Sequence, residues 1–584
     1  MATLLLSAVG AGVGQALGST AFGMSMAGIG QFVGATYGRA IDTQLFSHGA
    51  APVQQDHVEH FRLTGAGEGA PIPYVLGRIR VPGHIIWASH FNEDVDVTGG
   101  TAGSKGMPPQ PAVHSYRYSV SLAVALCKGA ISGVSRVWAD GVEIPRESLN
   151  MRVHLGTPDQ NADPTIEAIE GIGQAPAYRD LAYVVFDDLQ LAQFGNRIPQ
   201  FSFEVCHQTK GADKTLAKLT KAVHLENAGM YGFAMQALEI TQSGRKSSPN
   251  IHSPSGLSDM ETSLRALQQD LPNAAWVSVA PEWFGDDLRC SDIKISPRIL
   301  EFDTTATPKA WSVSGQTTAQ SASDTKMRGT TADFALVQGI THLMQAGQSV
   351  LVAPKLSLDI SPDNTNPSPV NPDGFQTTHA TALVITCSKA RGVIGSPDRT
   401  QAIKAEVDHF FGTAAASDFN VTGNTVVCAR AADDFGYRRF ILHYAHLCAA
   451  AGGVSAFLIG SDLAGLTQLR DDQGRFIAVD ALAQLARDVR AILGPQVKLG
   501  YAADWREYGA YVPSDAPEDM YFPLDTLWAE PAINFVGVNA RIPLADWRDG
   551  DTHLDRAWQS PENPDYLQSN IEGGEGVCMA LSHI

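Results

Sequence analysis

The pattern of hydrophobic and polar positions changes near residues 48 and 225 of the 584-residue chain. Between these points apolar and polar residues alternate, as in the run Tyr116–Val124, and this period of two predicts half-buried strands. Similar runs occupy residues 131–138, 181–186 and 201–205, and Asp140-Gly141 predicts a hairpin turn. Residues 49–225 are therefore predicted to form a β-rich domain.

After residue 225, short apolar runs alternate with segments of helical period. The predicted strands are 275–280, 349–354, 455–460, 497–502 and 533–538, and the predicted helices are 335–346, 440–451 and 479–493. This order implies a parallel sheet, and its length favours a (β/α) barrel over an open sheet. Five or six strands are visible where closure needs eight, so residues 226–584 are predicted to form an incomplete or shortened TIM-barrel-like domain.

Residues 1–48 differ from both later regions, because no charged residue precedes Arg39. Two trios of glycine recur every four residues, which predicts two helices that each carry a flat stripe: Gly10, Gly14 and Gly18, then Gly30, Gly34 and Gly38. Such stripes suit close packing against another copy, a partner or a membrane. A flexible glycine-rich leader is the alternative. The whole chain is thus predicted to be multidomain: a glycine-striped helical segment, a β-rich domain and an α/β barrel.

Composition excludes some classes of function. Acidic residues outnumber basic ones by 61 to 42, giving a net charge of −19, and no basic stripe offsets this excess. Gripping the phosphates of a nucleic acid is therefore disfavoured. The seven cysteines are widely spaced and form no C-x-x-C pair, so buried free thiols are expected rather than disulfides or a metal site. No cofactor motif is present, and neither a metal nor a cofactor is predicted.

Polar residues follow the predicted barrel strands, where TIM-barrel chemistry is found. The candidates for catalysis are Asp462, Asp504, Asn539 and Asp546, within a wider set that includes Glu282, Asp286, Asp287, Asp359, Glu507 and Asp549. Two opposed carboxylates could act as acid and nucleophile in glycoside hydrolysis. Alternatively, strand-end carboxylates only cap the following helices and bind neighbouring loops.

Several blocks of the β-rich region resemble a known family. They are residues 74–83, 85–87, 169–171, 176–179, 182–186 and 195–199. These blocks are similar to the tail-tip hub proteins of lambda-like phages and, more closely, to the large baseplate protein of alphaproteobacterial gene transfer agents. The resemblance implies a structural hub at the virion tail tip, which closes the tail tube and takes part in host attachment, cell entry and DNA delivery.

The same resemblance implies partners. Three copies would form the hub and would contact the distal tail protein, the tape-measure protein, a cell-wall peptidase-type hub protein and tail fibres. DNA would pass through without specific binding, and a host glycan is a further candidate ligand. Asn196 and Arg197 are candidates for a subunit contact through bidentate hydrogen bonds, although they could equally brace their own hairpin.

Three blocks of the second half, 284–290, 501–505 and 543–550, resemble the TIM-barrel-like domain of gene transfer agents, which is similar to glycoside hydrolases. The chain departs from that family at Asp462, where the family has Glu, and at Asn539-Ala540-Arg541, where it has Asp-Asn-Tyr. A structural or glycan-binding barrel is therefore predicted over a hydrolase. The end of the chain after residue 576 also departs from the family, which favours a split gene or a shorter barrel.

Overall fold

The protein is described by a computed structural model in which the chain folds into two compact units, Met1–Ala212 and Asp213–Ile584. The residues that the structure describes are 20–21, 24–25, 53–55, 69, 71–98, 113–207, 215–226, 229–242, 244–299, 306–317, 329–371, 373–377, 384–430, 434–514, 516–539, 544–545, 547–548, 550 and 552–573.

Strands are the main secondary structure among the described residues of the first unit. These are β1 (Thr20–Ala21), β2 (Met24–Ser25), β3 (Val53–Gln55), β4 (Gly77–Pro82), β5 (His84–Ala88), β6 (Asn92–Thr98), β7 (Val113–Lys128), β8 (Gly133–Ala139), β9 (Val142–Ile144), β10 (Met151–His154), β11 (Leu181–Gln190) and β12 (Phe201–His207), with one described α-helix, α1 (Pro164–Glu170). The β-rich prediction is confirmed, and the four period-two runs became β7, β8, β11 and β12.

Two sheets of the first unit share a hydrophobic core. One has the order β10-β11-β7-β3, with β5 and β6 also paired to β7, and the other has the order β4-β12-β8-β9. Inward-facing side chains from both sheets meet in a single cluster that includes Leu122, Val124, Phe186, Val137 and Phe203. Alternation along each strand thus gives each sheet one apolar face, and the two faces cover each other.

A buried ion cluster fixes the start of α1. Asp163 is the N-cap residue and accepts a hydrogen bond from the backbone N–H of Thr165 at 2.9 Å. Its fully buried carboxylate also accepts bonds from Nε and Nη2 of Arg152, both at 2.9 Å, and lies 2.9 Å from Nε2 of His154. Burial would raise the pKa of Asp163, but the hydrogen bonds from Arg152 and His154 outweigh it and lower that pKa to about 2.

The second unit alternates strands and helices. Its strands are β13 (Ala222–Leu225), β14 (Glu239–Gln242), β15 (Arg245–Ser247), β16 (Trp276–Val279), β17 (Glu282–Gly285), β18 (Ile295–Ser296), β19 (Ala306–Thr307), β20 (Ser312–Val313), β21 (Gln316–Thr317), β22 (Ser349–Val352), β23 (Lys355–Leu358), β24 (Phe419–Thr422), β25 (Thr425–Cys428), β26 (Ala456–Ser461), β27 (Lys498–Asp504) and β28 (Phe535–Asn539). Its helices are α2 (Leu216–Leu219), α3 (Asp259–Asp270), α4 (Asp333–Gln345), α5 (Ala402–Phe411), α6 (Tyr437–Ala450), α7 (Ala464–Thr467), α8 (Ile477–Leu493), α9 (Trp505–Tyr508), α10 (Asp525–Trp528) and α11 (Pro564–Gly573).

Six strands form one parallel sheet in the order β13-β16-β22-β26-β27-β28, which is a half-barrel. This confirms the predicted parallel sheet and TIM-barrel-like fold. Pro281 and Pro354 interrupt two of the strands, because proline has no N–H to donate. Beyond them β17 and β23 pair in parallel again, and Lys355 donates its N–H to the carbonyl of Pro281 at 2.8 Å.

Amphipathic helices cover this sheet, and α8 shows why the sequence folds this way. Its buried residues recur every three or four positions, as Val479, Leu482, Ala486 and Val489 do, so one stripe faces the core. The helix ends at Gly494, whose φ of 76° lies in the left-handed region that glycine adopts without steric cost. The predicted helices at 335–346, 440–451 and 479–493 correspond to α4, α6 and α8.

The predicted N-terminal helices lie outside the described residues, and so do all six glycines of the two stripes. Between the trios the structure describes only β1 and β2, which pair antiparallel. The glycine-striped helices therefore stay a prediction. At the other sequence boundary, β13 pairs with β16 of the second unit, although residues 222–225 precede the predicted division at 225.

Two further expectations concern the state of the cysteines and a possible contact with a membrane. The six described cysteines are free thiols, five of them buried, and Cys578 lies outside the described residues. Within the described part of the chain, no helix has both the length and the apolar character needed to cross a membrane.

Candidate functional site

The candidate site lies at the carboxyl edge of the half-barrel, where three neighbouring parallel strands end. Asp462 follows β26, Asp504 is the last residue of β27, and Asn539 is the last residue of β28. Asp504 and Asn539 are directly paired in register, so their Cα atoms lie side by side. The order β26-β27-β28 therefore brings three of the four catalytic candidates to one edge. The fourth, Asp546, lies outside the described residues.

The backbone before Asp462 has an irregular path that aims its side chain. The pairing of β26 with β27 shifts register between Leu458 and Ser461, and Asp462 itself has a φ of 56°, in the left-handed region. A Cβ on Gly460 would lie 2.1 Å from the hydroxyl of Tyr437, so only glycine fits there. Irregularities of this kind at strand ends re-aim side chains, and non-glycine residues with positive φ are uncommon.

Asp462 and Asn539 are joined directly. Nδ2 of Asn539 donates a hydrogen bond of 2.8 Å to Oδ1 of Asp462, across the end of the intervening β27. Both side chains are partly exposed. The amide of Asn539 donates a hydrogen bond to the carboxylate of Asp462 but does not itself ionise. The pair therefore contains one ionisable group, whereas two opposed carboxylates would contain two.

Asp504 is committed to a helix cap. It is only 4% exposed, and Oδ1 accepts hydrogen bonds from the backbone N–H of Arg506 at 3.0 Å and from Nε of the same residue at 2.9 Å. Glu507 completes the capping box of α9 by accepting the N–H of Asp504 on Oε2 at 3.2 Å. The alternative expectation, that strand-end carboxylates cap helices, describes Asp504.

Glu507 is a buried carboxyl group among neutral donors. It is 1% exposed, and Oε1 accepts hydrogen bonds from Oγ1 of Thr467 at 2.7 Å and from the hydroxyl of Tyr501 at 2.8 Å. Burial raises the pKa of Glu507 to about 7, with a smaller contribution in the same direction from the charge of Asp462. The hydrogen bonds from Thr467 and Tyr501 oppose that rise without cancelling it.

The remaining strand-end carboxylates also have protein partners. Glu282 accepts a hydrogen bond from the hydroxyl of Ser357, and its Oε1 lies 3.9 Å from Nζ of Lys355. Asp287 pairs with Arg289 at 2.8 Å. Other partners at this edge follow the same pattern: Asp286 accepts the N–H of Lys294 at 2.8 Å, and Asp359 lies 3.6 Å from Nε of Arg298. Each of these described carboxylates thus has a protein partner, and that of Asp462 is an amide.

The two hub-contact candidates of the first unit, Asn196 and Arg197, are adjacent in the sequence but differ in burial and in their hydrogen-bond partners. Asn196 is buried, has a φ of 52° and donates from Nδ2 to the carbonyl of Tyr116 at 3.1 Å, so it braces its own unit. Arg197 is exposed, and its Nη2 donates to Asp140 at 2.6 Å, at the predicted hairpin turn. Their role in a subunit contact stays a prediction.

Among the described residues, no three or more His, Cys, Asp or Glu side chains are grouped so that they could hold a metal ion. The histidines and aspartates of the first sheet, His84, His90, Asp94 and Asp96, lie on or beside β5 and β6.

Comparison with known proteins finds a family match for the C-terminal part of the barrel. Residues 435–579, which contain β26, β27, β28 and the Asp462–Asn539 pair, match the family described as the GTA TIM-barrel-like domain. This part of the chain is therefore similar to gene transfer agent TIM-barrel-like domains. A protein in the structure "Virion of native gene transfer agent (GTA) particle" is 42% identical to the chain, over 37% of this chain and 41% of that one, with a TM-score of 0.21.

The relation to the gene transfer agent protein is one of sequence, because a TM-score of 0.21 carries no structural argument. The chain spans about two fifths of that protein's length. Two GH113 β-mannanase structures also match, one at 12% identity, the other, from Alicyclobacillus acidocaldarius, at 14%. The first match covers 61% of this chain and 68% of the mannanase, and the second covers 59% and 69%, each with a TM-score of 0.27. Matches at this level carry no argument about activity. No curated protein sequence matches.

Sequence reasoning placed Asp462, Asp504 and Asn539 at the edge but missed the buried network of Glu507, Tyr501 and Thr467. One signal was available. The run Asp504-Trp505-Arg506-Glu507 has the spacing of a capping box, which identifies its first and last residues as caps rather than catalysts. The contribution of Thr467 had no local signal, because it lies 40 residues from Glu507 along the chain.

Proposed function

We propose that this chain is a structural component of a gene-transfer-agent-like or phage-like particle, located at the tail tip as part of the hub. In this role it closes the tail tube and takes part in host attachment and DNA delivery. The observation that carries the proposal is the sequence relation to the gene transfer agent particle protein, together with the TIM-barrel-like domain at residues 435–579.

Assembly into a ring of three copies is part of this proposal, and the edges of the second sheet support it. β4 lies at one edge of the order β4-β12-β8-β9 and β9 at the other. Exposed apolar side chains mark both edges, with Tyr74, Leu76 and Ile79 on or before β4 and Val142 on β9. Apolar residues on exposed sheet edges are typical of contact surfaces, and two unlike edges suit a head-to-tail ring.

The remaining partners follow from the same proposal. The hub would contact the distal tail protein, the tape-measure protein, a cell-wall peptidase-type hub protein and tail fibres. A net charge of −19 suits a conduit through which DNA passes without being bound. The glycine stripes at residues 10–18 and 30–38 would pack helices against neighbouring copies or plug the tube. We expect Gly14→Leu and Gly34→Leu to reduce particle yield without unfolding the β-rich unit.

A non-hydrolytic barrel is the second part of the proposal. The Asp462–Asn539 bond leaves one carboxylate where glycoside hydrolysis uses two, and Asp504 is held as a helix cap. We therefore expect purified protein to release no sugar from cell-wall or surface glycans. Hydrolysis that Asp462→Ala abolishes would instead establish the glycosidase alternative.

The location is tested by imaging particles in which this chain carries a tag. A map with three copies of the β-rich unit around a DNA-sized channel at the tail tip is expected. One copy, six copies, or a lumen lined mainly by Lys and Arg would overturn the ring.

The ring contact is tested by substitution. Ile79→Glu places a charge on the β4 edge, where the native side chain is 52% exposed, and is expected to weaken the trimer in sedimentation. Ile172→Glu is the matched control, since this residue is 93% exposed and lies at neither sheet edge. Equal sedimentation of Ile79→Glu and native protein would remove the β4 edge from the proposal.

A further inference from the structure

Loops that follow β23, β26 and β27 bring arginine and tyrosine side chains together. Arg391 lies between β23 and α5, Arg470 follows β26, and Tyr511 and Tyr521 follow β27. β26 and β27 are half-barrel strands, and β23 follows the half-barrel strand β22 after Pro354, so all three loops leave carboxyl ends of strands, the end at which barrels of this class bind their ligands. None of these four residues belongs to the Asp462–Asn539 pair or to the Glu507 network.

The two tyrosines are held as a pair. The N–H of Tyr511 donates to the carbonyl of Tyr521 at 2.8 Å, and the N–H of Tyr521 donates back at 2.9 Å. The guanidinium of Arg391 lies 4.8 Å from the ring centroid of Tyr511, and that of Arg470 lies 6.0 Å from Tyr511 and 5.7 Å from Tyr521. These are cation–π distances, so the rings and the arginines position each other.

The arginines of this cluster differ in how their charge is balanced. Arg470 lies 4.0 Å from Asp398, and the nearby Arg475 lies 2.8 Å from Asp471. Arg391 forms no ion pair with any described residue. Its Nη2 donates to Oε1 of Gln468 at 2.7 Å, while its Nη1 is buried without a hydrogen-bond partner among them. A buried N–H with no acceptor costs free energy, and an anion that gained access to Nη1 would supply the missing acceptor.

Apolar side chains are exposed next to the two tyrosines along the chain. Tyr508 is the last residue of α9, and Met520 and Phe522 flank Tyr521. Aromatic side chains present flat apolar faces, and the face of a sugar ring, lined by C–H groups, can stack on them. Aromatic side chains grouped with a few convergent charged groups have the composition typical of a small-ligand site.

We infer that the cluster of Arg391, Arg470, Tyr511 and Tyr521 binds an acidic saccharide. A sugar ring stacks beside the tyrosines, and its carboxylate accepts hydrogen bonds from Arg391. One guanidinium without an ionic partner fits an isolated carboxylate on each sugar unit. It does not fit the dense charge of polyphosphate or nucleic acid, which a chain of net charge −19 repels. This inference goes beyond the structural role proposed above, because it concerns a ligand of the purified chain and does not depend on assembly.

Calorimetric titration of the full chain tests the inference with three probes. They are a galacturonic-acid tetrasaccharide, a neutral mannose tetrasaccharide of the same length, and inorganic polyphosphate. The acidic saccharide is expected to bind on the order of tenfold more tightly than the neutral one, which is what one charge-assisted contact contributes. Polyphosphate is expected not to bind. Equal affinity for all three, or binding of polyphosphate alone, would overturn the inference.

Substitution assigns the binding to the cluster. Arg391→Gln and Tyr511→Leu are each expected to weaken binding of the acidic saccharide about tenfold, and Arg391→Lys to retain part of it because the charge remains. Arg487→Gln is the matched control, since it removes the same charge from α8, where Arg487 pairs with Glu530. If Arg391→Gln, shown by circular dichroism to be folded, binds as tightly as native protein, the site is elsewhere. If it does not fold, loss of binding in the folded Tyr511→Leu variant supports the site, and retention overturns it.

Discussion

Each unit of the protein contains a buried carboxyl group at the start of a helix, and the pKa values of the two are displaced in opposite directions. Asp163 at α1 faces Arg152, and its pKa is lowered to about 2. Glu507 at α9 faces the hydroxyls of Thr467 and Tyr501, and its pKa is raised to about 7. Both side chains are almost completely buried, and burial raises both pKa values, so burial alone does not explain the opposite directions. The hydrogen bonds from Arg152 and His154 outweigh burial at Asp163, whereas those from the neutral hydroxyls do not outweigh it at Glu507.

This difference gives the two groups opposite effects on stability as the pH changes. Because the pKa of Asp163 is lowered from 3.8, its carboxylate contributes stability above pH 3.8, which is lost as the pH falls toward 2. Because the pKa of Glu507 is raised from 4.5, its protonated form contributes stability below pH 4.5. That contribution is lost as the pH rises toward 7. Acid therefore weakens the first site and strengthens the second.

The largest effect is expected from Asp163→Ala, which leaves Arg152 without its main partner and removes the N-cap of α1. Removing one partner of a buried ion pair costs about 3–5 kcal/mol, and removing an N-cap side chain costs about 0.5–2 kcal/mol. The expected result is faster hydrogen exchange in β10, α1 and β11 at pH 7, measured by mass spectrometry, with exchange in α8 unchanged. Asp187→Asn is the control, since Asp187 makes a single 3.0 Å contact with Arg152 and is partly exposed. Equal effects of the two variants would refute the assignment.

Glu507→Gln should alter the second site by a pH-dependent amount. The amide resembles the protonated carboxyl group, so the variant should lack the native decline in stability between pH 4.5 and about 7. That decline corresponds to about 3 kcal/mol at most, from the size of the pKa rise. Urea unfolding of native and variant protein, at pH 4.5 and at pH 7.5, measures the difference. Parallel pH profiles for the two proteins would show that Glu507 is charged when folded.

The smallest effect is expected from Asn539→Asp, which replaces the amide donor at 2.8 Å from Asp462 with a second carboxylate. Two carboxyl groups this close share one proton, so one pKa should rise. Because both side chains are partly exposed, the cost at pH 7 should be only about 1 kcal/mol. Titration of the Asp462 carbon resonance by NMR checks this. An unshifted pKa would mean that the two side chains separate in the variant.

Several elements were predictable from local pattern. Alternation predicted β7, β8, β11 and β12, and helical periodicity predicted α4, α6 and α8, because a one-sided apolar face requires a fixed spacing. β13 (Ala222–Leu225) was missed, since a histidine interrupts its apolar residues and charged residues flank it on both sides. At the candidate site, strand ends placed Asp462, Asp504 and Asn539 correctly at one edge, because parallel order alone brings carboxyl ends together.

The sequence by itself determined the β-rich first unit, the parallel half-barrel and the relation to gene transfer agents. These depend on periodicity, chain order and shared motifs, all of which are local. Only the tertiary structure decided which partner each carboxyl group has. In it Asp504 caps a helix, Asp462 accepts a hydrogen bond from Asn539, and Glu507 lies beside neutral hydroxyl groups. It likewise brought Arg391 to Tyr511, 120 residues later. The protonation and partners of a side chain are set by neighbours distant in sequence, and no spacing pattern records them.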